Sequence, residues 1–583
     1  MKTNWDLTVF YESFDDPQFT EDLAVLPGNI ESFCRLIAEE TKDDLNKIRC
    51  LIAEYEQLGA LMERLGMMIH LTLACEAGNE KANNANAQIM RAYVAAEQAG
   101  NAFARYLATV ENLEELIACD DMLRANDYFL RRSVKDAKHT LPEALEGPVL
   151  RMQLSGGKMF SQLRDKLDAT LEVDYRGETI PLSAVRAKAY DTDAQVRREA
   201  YEAEIASYKK IELPMSYCLN AIKSEARTMA ELTGYEDVLS MTLEQSGMTK
   251  KTLDAMWTAI REALPDLRKY FKAKGRLLGH KNGLPFYDLF APVGESTRTY
   301  TIEEARDLLV EIFTKFSPEL GGMMAKAFDE GWIDVYPRAG KSGGAFCAGC
   351  YQLNISRILT NFTGSLSDVS TLAHELGHAF NNLMMNRVPR LMCDPPMPLA
   401  ETASTFNETV LSDFIRKTAS PEEEMTLLDA SLMENTQVMV DIYSRFLFEQ
   451  KVVDAQADHA LNVRELKETM LWAQEQSYGD GLDPEVRHPY MWACKSHYYS
   501  TGTHFYNFPY AFGGLFGRGL YARYKAEGER FVPVYCDLLS RFGSDTIENV
   551  TASVGIDVTT PDFWRAAVKT VVDEALRFDE LVG

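Results

Sequence analysis

No stretch of this sequence stays apolar over the roughly 20 residues that a bilayer-crossing helix needs, which argues against a spanning segment and a membrane partner. The first residues, MKTNWDLTVFYESFDD, are too polar for a secretory signal, so a cytoplasmic protein is expected. Clustered cysteines are missing as well. The ten cysteines lie scattered at 34, 50, 75, 119, 218, 347, 350, 393, 494 and 536, which excludes a small disulfide scaffold and favours free thiols. Cys347 and Cys350 form a CxxC pair, but no second pair completes a four-thiolate zinc site and no thioredoxin-like context surrounds it. Both read as small buried residues on a strand. Positive charge is also scarce: 61 Lys and Arg against 87 Asp and Glu leave a net charge of -26, which repels phosphate backbones and speaks against nucleic acid. Solenoid-type repeats and low-complexity linkers are absent too.

What is present is a composition ordinary for a chain with large cores, 46% hydrophobic and 25% charged. From about residue 18 to 165, apolar residues recur at spacings of three and four, so long helices packed on helices are expected. One hairpin interrupts them, where Leu171, Val173 and Tyr175 alternate before a turn at Arg176 and Gly177 and the return strand ETIPL. Helical periodicity resumes to about residue 330. Between 337 and 363, in PRAGKSGGAFCAGCYQLNISRILTNFT, glycines precede two β-like runs, CYQLNI and RILTNF, which predict a small sheet; helices then run nearly to the end.

The segment after that sheet contains TLAHELGHAF, residues 371 to 380. Val369, Leu372, Ala373, Leu376, Phe380, Leu383 and Met384 form one apolar stripe, and His374 and His378 fall nearly opposite its centre. They are not core histidines. Two readings remain, a solvent-facing pair or a metal site in which each ring offers one nitrogen and Glu375 stands beside the open coordination position.

A catalytic zinc site needs a third protein ligand. The pattern with glycine at 381 and histidine at 384 is ruled out by Asn381 and Met384. In PLAETASTFNETVLSDFIRK, Leu399, Ala403, Phe406, Val410 and Phe414 define one helix face, and Glu401 and Glu408 share the opposite one. Glu401 is the candidate third ligand, and Glu408 the candidate acceptor for the second ring N–H of a zinc histidine. Two solvated glutamates are the plain alternative in so acidic a chain.

A third cluster, HYYSTGTHFYNFPY at 497 to 510, is dense in histidine and tyrosine. Neutral tyrosine and histidine can donate to the oxyanion that develops on a scissile carbonyl. Tyr506 and Tyr510 lie four apart, with His497 upstream; the alternative is core packing, which suits Phe505, Phe508 and Phe512.

Taken in order, HELGH, AETASTFNE and HFYNFPYAFGG, with WDLTVFYESFDDPQF, LEVDYRGETIPL, PRAGKSGGAFCAG and GIDVTTPDFW, make the chain resemble the oligoendopeptidase F branch of the thimet oligopeptidase family of zinc metallopeptidases over nearly its whole length. The resemblance implies a mainly α, two-lobed helical zincin with a small sheet beside the HExxH helix and a deep channel that admits short unfolded peptides. It implies an N-terminal helical lobe over 1–190 and a catalytic domain over 191–583. By position, His374, His378 and Glu401 would bind one Zn²⁺ and Glu375 would be the general base. His497, Tyr506 and Tyr510 match the substrate-stabilising groups, with His504 competing for the histidine role. A further family tyrosine would fall near Gly513, so that contribution is missing or comes from elsewhere.

The activity expected is metalloendopeptidase hydrolysis of internal bonds by a zinc-activated water. Gly343, Gly344 and Ala345, leading into the first strand, are candidate substrate-binding residues if an extended peptide adds to the sheet edge; the alternative is a sheet that only braces the zinc helix. Two rival functions are a carboxypeptidase of the same ligand class and a catalytically inactive helical peptide-binding scaffold. The oligomeric state is left open.

Overall fold

The computed structural model describes residues 1–294, 298–417 and 419–583. Three long helices open the chain, Pro17–Ala38, Asp44–Cys75 and Glu80–Leu107, and the side chains of Asp16, Asp43 and Asn79 each accept a backbone N–H in the first turn of the helix that follows. Their apolar faces close a first core whose buried residues run from Phe10 to Leu130, joined by Cys350 from far along the chain. Among the described residues, Asp44–Cys75 is the one helix long and apolar enough to cross a membrane by length and composition, and half of its most apolar window is buried inside the protein.

The expected hairpin is formed by β1 (Glu172–Tyr175) and β2 (Glu178–Pro181), with Tyr175 opposite Glu178. Arg176 and Gly177 both have positive φ, 52° and 84°, the two-residue turn whose twist matches antiparallel strands. Leu171, Val173 and Tyr175 bury their side chains in a second, larger core that continues to Phe578. In that core the helix Lys250–Leu277 lies along the C-terminal helix Pro561–Val582.

The small sheet consists of β3 (Ile333–Asp334), β4 (Phe346–Cys350) and β5 (Ile355–Leu359) in the order β3-β5-β4, with β5 parallel to β3 and antiparallel to β4. Its strands are displaced from the sequence expectation. CYQLNI is not a strand: Tyr351 to Asn354 form the turn, closed by the Asn354 N–H on the Tyr351 carbonyl at 3.2 Å, with Asn354 at φ +50. Asparagine tolerates that left-handed conformation better than most residues, so the turn falls there and the pairing begins at Phe346. On β4, Phe346, Ala348 and Cys350 pack toward the first core, while Cys347 and Gly349 face Asn382 of the next helix.

That next helix, Leu366–Met385, carries HELGH. Ser365 and Asp368 form its capping box, and Val369, Leu372, Ala373, Leu376, Phe380 and Met384 are all at most 1% exposed. The apolar stripe thus fastens one face to the core and leaves the histidines on the other. The fold is mainly helical with two small sheets, as the pattern implies.

Candidate active site

His374 and His378 are half-buried on the exposed side of the HELGH helix. Glu401 reaches them from a bend, not from within a helix: a short helix Met397–Ala400 ends there and Thr402–Arg416 begins, with Glu401 as the residue between. The sequence reading placed Glu401 and Glu408 on one continuous helix. Pro395, Pro396 and Pro398 crowd the approach, so the regular helix starts only at Thr402.

The three donor atoms form a nearly equilateral triangle. His374 Nε2 and His378 Nε2 are 3.2 Å apart, and Glu401 Oε2 lies 3.3 Å from the first and 3.4 Å from the second. A tetrahedral ion with ligand bonds of about 2.0–2.1 Å requires donor atoms roughly 3.3 Å from one another. The residues present fit such an ion, and no other group of three such side chains among the described residues converges in this way.

The supporting layer is also in place. Glu408 Oε1 lies 3.1 Å from His374 Nδ1, the ring nitrogen turned away from the triangle. Ser404 Oγ donates to Glu401 Oε2 at 3.1 Å, and Asn407 Nδ2 donates to the Ala373 carbonyl at 3.0 Å, tying the two helices beside the histidines. Burial disfavours a charged His374, but Glu401 and Glu408 outweigh it and lift its pKa to about 10. Glu401 is held well below the usual carboxylate range, the histidines overcoming its own burial. The pocket attracts positive charge.

Close packing puts Glu401 there. A side chain on Gly377 would come within 2.6 Å of the Ala403 carbonyl, and one on Gly513 within 2.8 Å of Glu401 Cβ. Glycine at 377 lets the HELGH helix meet the next one, and glycine at 513 lets the helix Phe508–Glu527 lie against Glu401 itself. Position 513 has no room for a larger side chain in this packing.

Glu375 is 5% exposed, and its Oε2 has no hydrogen-bond partner. Burial raises its carboxyl pKa above the ordinary value, partly countered by His374 and His378. An unpartnered carboxylate oxygen beside the triangle is free to take up a proton.

His497, Tyr506 and Tyr510 come together although the first and last lie thirteen positions apart in the sequence. The His497 ring stacks on Tyr506 at 5.3 Å and meets Tyr510 edge-on at 6.4 Å; the two tyrosines are 5.9 Å apart. Burial, with Arg445, Lys495 and Arg164 nearby, pushes His497 down to about 4, so its ring is neutral at pH 7. Burial, Tyr506 and then the charge of Glu401 push the Tyr510 phenol up, which keeps it a donor and places it within reach of Glu401's field. His504 is elsewhere: 4% exposed, it lies beside Lys223 and outside this ring cluster. Gly343 and Gly344 are exposed and Ala345 half-buried at the entrance to β4, where the Gly344 carbonyl accepts from Asn361 Nδ2 at 2.9 Å. A cavity of about 930 Å³ lies between the two cores and is lined by Tyr93, Tyr128, Cys350, Tyr351, Asn386 and Arg390. It adjoins the far end of the HELGH helix and does not contain the triangle.

Sequence reasoning missed Ser404, Asn407 and the glycine contacts. Ser404 had a signal, three residues beyond a candidate ligand at a helix start; the glycines had none without a partner helix to place against them.

A HExxH helix, a carboxylate from the next helix start and a late histidine-tyrosine cluster on a mainly helical frame define the class of helical metallopeptidases. The sequence profile of peptidase family M3 matches residues 187–570, and the chain belongs to that family. Among curated relatives, the group B oligopeptidase PepB of Streptococcus agalactiae is 25% identical over 79% of this chain and 77% of its own. Among solved structures, a chain from Chlamydophila abortus superposes with a TM-score of 0.85 at 21% identity, covering 99% of this chain and 98% of its own. The oligoendopeptidase-F from Enterococcus faecium superposes with a TM-score of 0.70 at 18% identity, covering 97% and 99%. Both likenesses are of fold.

Proposed function

We propose that the protein is a zinc-dependent metalloendopeptidase that hydrolyses internal peptide bonds of short, unfolded oligopeptides. The triangle of His374 Nε2, His378 Nε2 and Glu401 Oε2, with edges of 3.2 to 3.4 Å, carries this reading. Two imidazoles and one carboxylate suit zinc, and Glu408 completes the outer hydrogen bond that fixes the His374 ring. When bound, the ion supplies Lewis-acid chemistry, acidifying a water and polarising the scissile carbonyl.

The chain's own groups do the rest. Glu375 takes the proton from the attacking water and delivers it to the leaving amine. His497, neutral at pH 7, and the phenols of Tyr506 and Tyr510 donate hydrogen bonds to the oxyanion or to the adjoining peptide carbonyl. Among the described residues no strand lies beyond β4, so an extended substrate can add there through backbone hydrogen bonds, entering past Gly343, Gly344 and Ala345. Backbone pairing of this kind reads few side chains and gives broad specificity. The ten free thiols suit a reducing cytoplasm.

The test is Glu375→Gln, assayed for metal content and for cleavage of a quenched oligopeptide, with products identified by mass spectrometry. Full metal content with turnover reduced about 10²–10⁴-fold is expected, and wild-type products are internal fragments. Near-normal turnover in the metal-loaded variant would sink the mechanism. Single residues trimmed from a chain end would replace the endopeptidase with a carboxypeptidase.

A further inference from the structure

Tyr506 follows a strained piece of backbone. Phe505 has φ +51, a left-handed conformation that is strained for a bulky residue and persists only where the surroundings over-determine it. Its ring is 1% exposed, so Phe505 serves the core and is not there for turn chemistry.

One helix, Ile442–Ala455, holds this segment from both sides of Tyr506. Glu449 Oε1 accepts the Phe505 N–H at 2.9 Å. One turn earlier on the same face, Arg445 Nη1 donates to Asn507 Oδ1 at 2.9 Å. Each of these two side chains is in turn fixed by a buried opposite charge. Lys223 Nζ, from the helix Glu212–Leu232, lies 2.6 Å from Glu449 Oε1, and both side chains are at most 2% exposed. Arg445 pairs with Asp441, which also accepts from the Tyr478 hydroxyl at 3.1 Å.

Two buried ion pairs are a poor way to stabilise a core, because apolar residues of similar volume often do as well or better. Here both converge on the residues immediately before and after one side chain, and that side chain is stacked on His497. We propose that the Lys223–Glu449 and Asp441–Arg445 pairs form a two-point clamp that positions Tyr506 for catalysis, through the Phe505 backbone and the Asn507 side chain. The proposal rests on the reading of Tyr506 as a donor to the reacting carbonyl. What the clamp needs at 449 is an acceptor for the Phe505 N–H; the charge there serves only to balance Lys223.

The experiment compares two neutral double variants in the zinc-loaded full chain. Lys223→Met with Glu449→Gln keeps an amide oxygen for the Phe505 N–H. Lys223→Met with Glu449→Leu removes it from an equally neutral, packed interior. The Gln double is expected to keep kcat within about threefold of wild type, and the Leu double to lose at least about tenfold in kcat with KM and zinc content unchanged, since small misplacements of a catalytic group cost this much or more. A crystal structure of the Leu double should show the Tyr506 ring moved off His497. Equal kcat in the two doubles, an unmoved Tyr506, or a parallel loss of zinc would overturn the clamp. Should the Leu double not fold, Asn507→Ala releases the other point, and wild-type kcat there would overturn it as well. Tyr506→Phe tests the parent reading separately: wild-type kcat in that variant removes Tyr506 from catalysis, whereas an impaired Tyr506→Phe beside a fully active Leu double removes only the clamp.

Discussion

His374 and His497 carry the same side chain, and burial pushes both toward the neutral form, yet one is lifted to about 10 and the other pressed down to about 4. Their neighbours make the difference. Glu401 and Glu408 flank His374, while Arg445, Lys495 and Arg164 surround His497. At His497 burial does most of the lowering and the cations add to it, whereas at His374 two carboxylates reverse the effect of burial. One end of the site gathers the negative charge that suits a cation, and the other keeps a neutral imidazole.

The comparison breaks most completely at the acidic end. Glu401→Ala removes one corner of the triangle, and dialysed protein is expected to retain almost no metal by elemental analysis, with peptide cleavage at background. At the neutral end, His497→Phe should keep its full metal content and lose about 10²–10³ in kcat, the usual cost of one oxyanion donor. A variant that lost metal instead would erase the division between the two ends. Glu408→Gln is expected to weaken metal affinity by about 10–100-fold, measured by chelator competition, with activity recovered at excess zinc.

The smallest effect concerns stability. Burial presses His504, aided by the charge of Lys223, down to about 3, so between about pH 6.5 and 3 the unfolded chain binds a proton that the folded chain refuses. Stability therefore falls as pH drops through that interval, by on the order of 1 kcal/mol per pH unit for this one group. His504→Gln should flatten the fall in Tm between pH 6.5 and 4.5; an unchanged slope would show that His504 takes up its proton freely in the folded protein.

Much of this site was legible because the metal-binding end is local. The stripe from Val369 to Met384 and the pair His374 and His378 follow from helical periodicity alone. Glu401 was found by the same argument, although its bend was not, because the break depends on three prolines and on how the short helix packs. The strand limits slipped because a turn at Asn354 overrode a run that looked β-like. The histidine-tyrosine cluster could be named from its residue types, but the choice between His497 and His504 needed the packing of the 495–510 segment. The clamp was invisible to any local reading: Lys223 and Glu449 are 226 residues apart.

The contact at Gly513 has a mechanical consequence. The helix Phe508–Glu527 begins with Tyr510 in the histidine-tyrosine cluster and, three residues later, rests its backbone against Glu401. One helix thus touches both the His374–His378–Glu401 triangle and the His497–Tyr506–Tyr510 cluster. Because both contacts belong to the same helix, a shift of that helix along its axis would move Tyr510 and the backbone packed on Glu401 together.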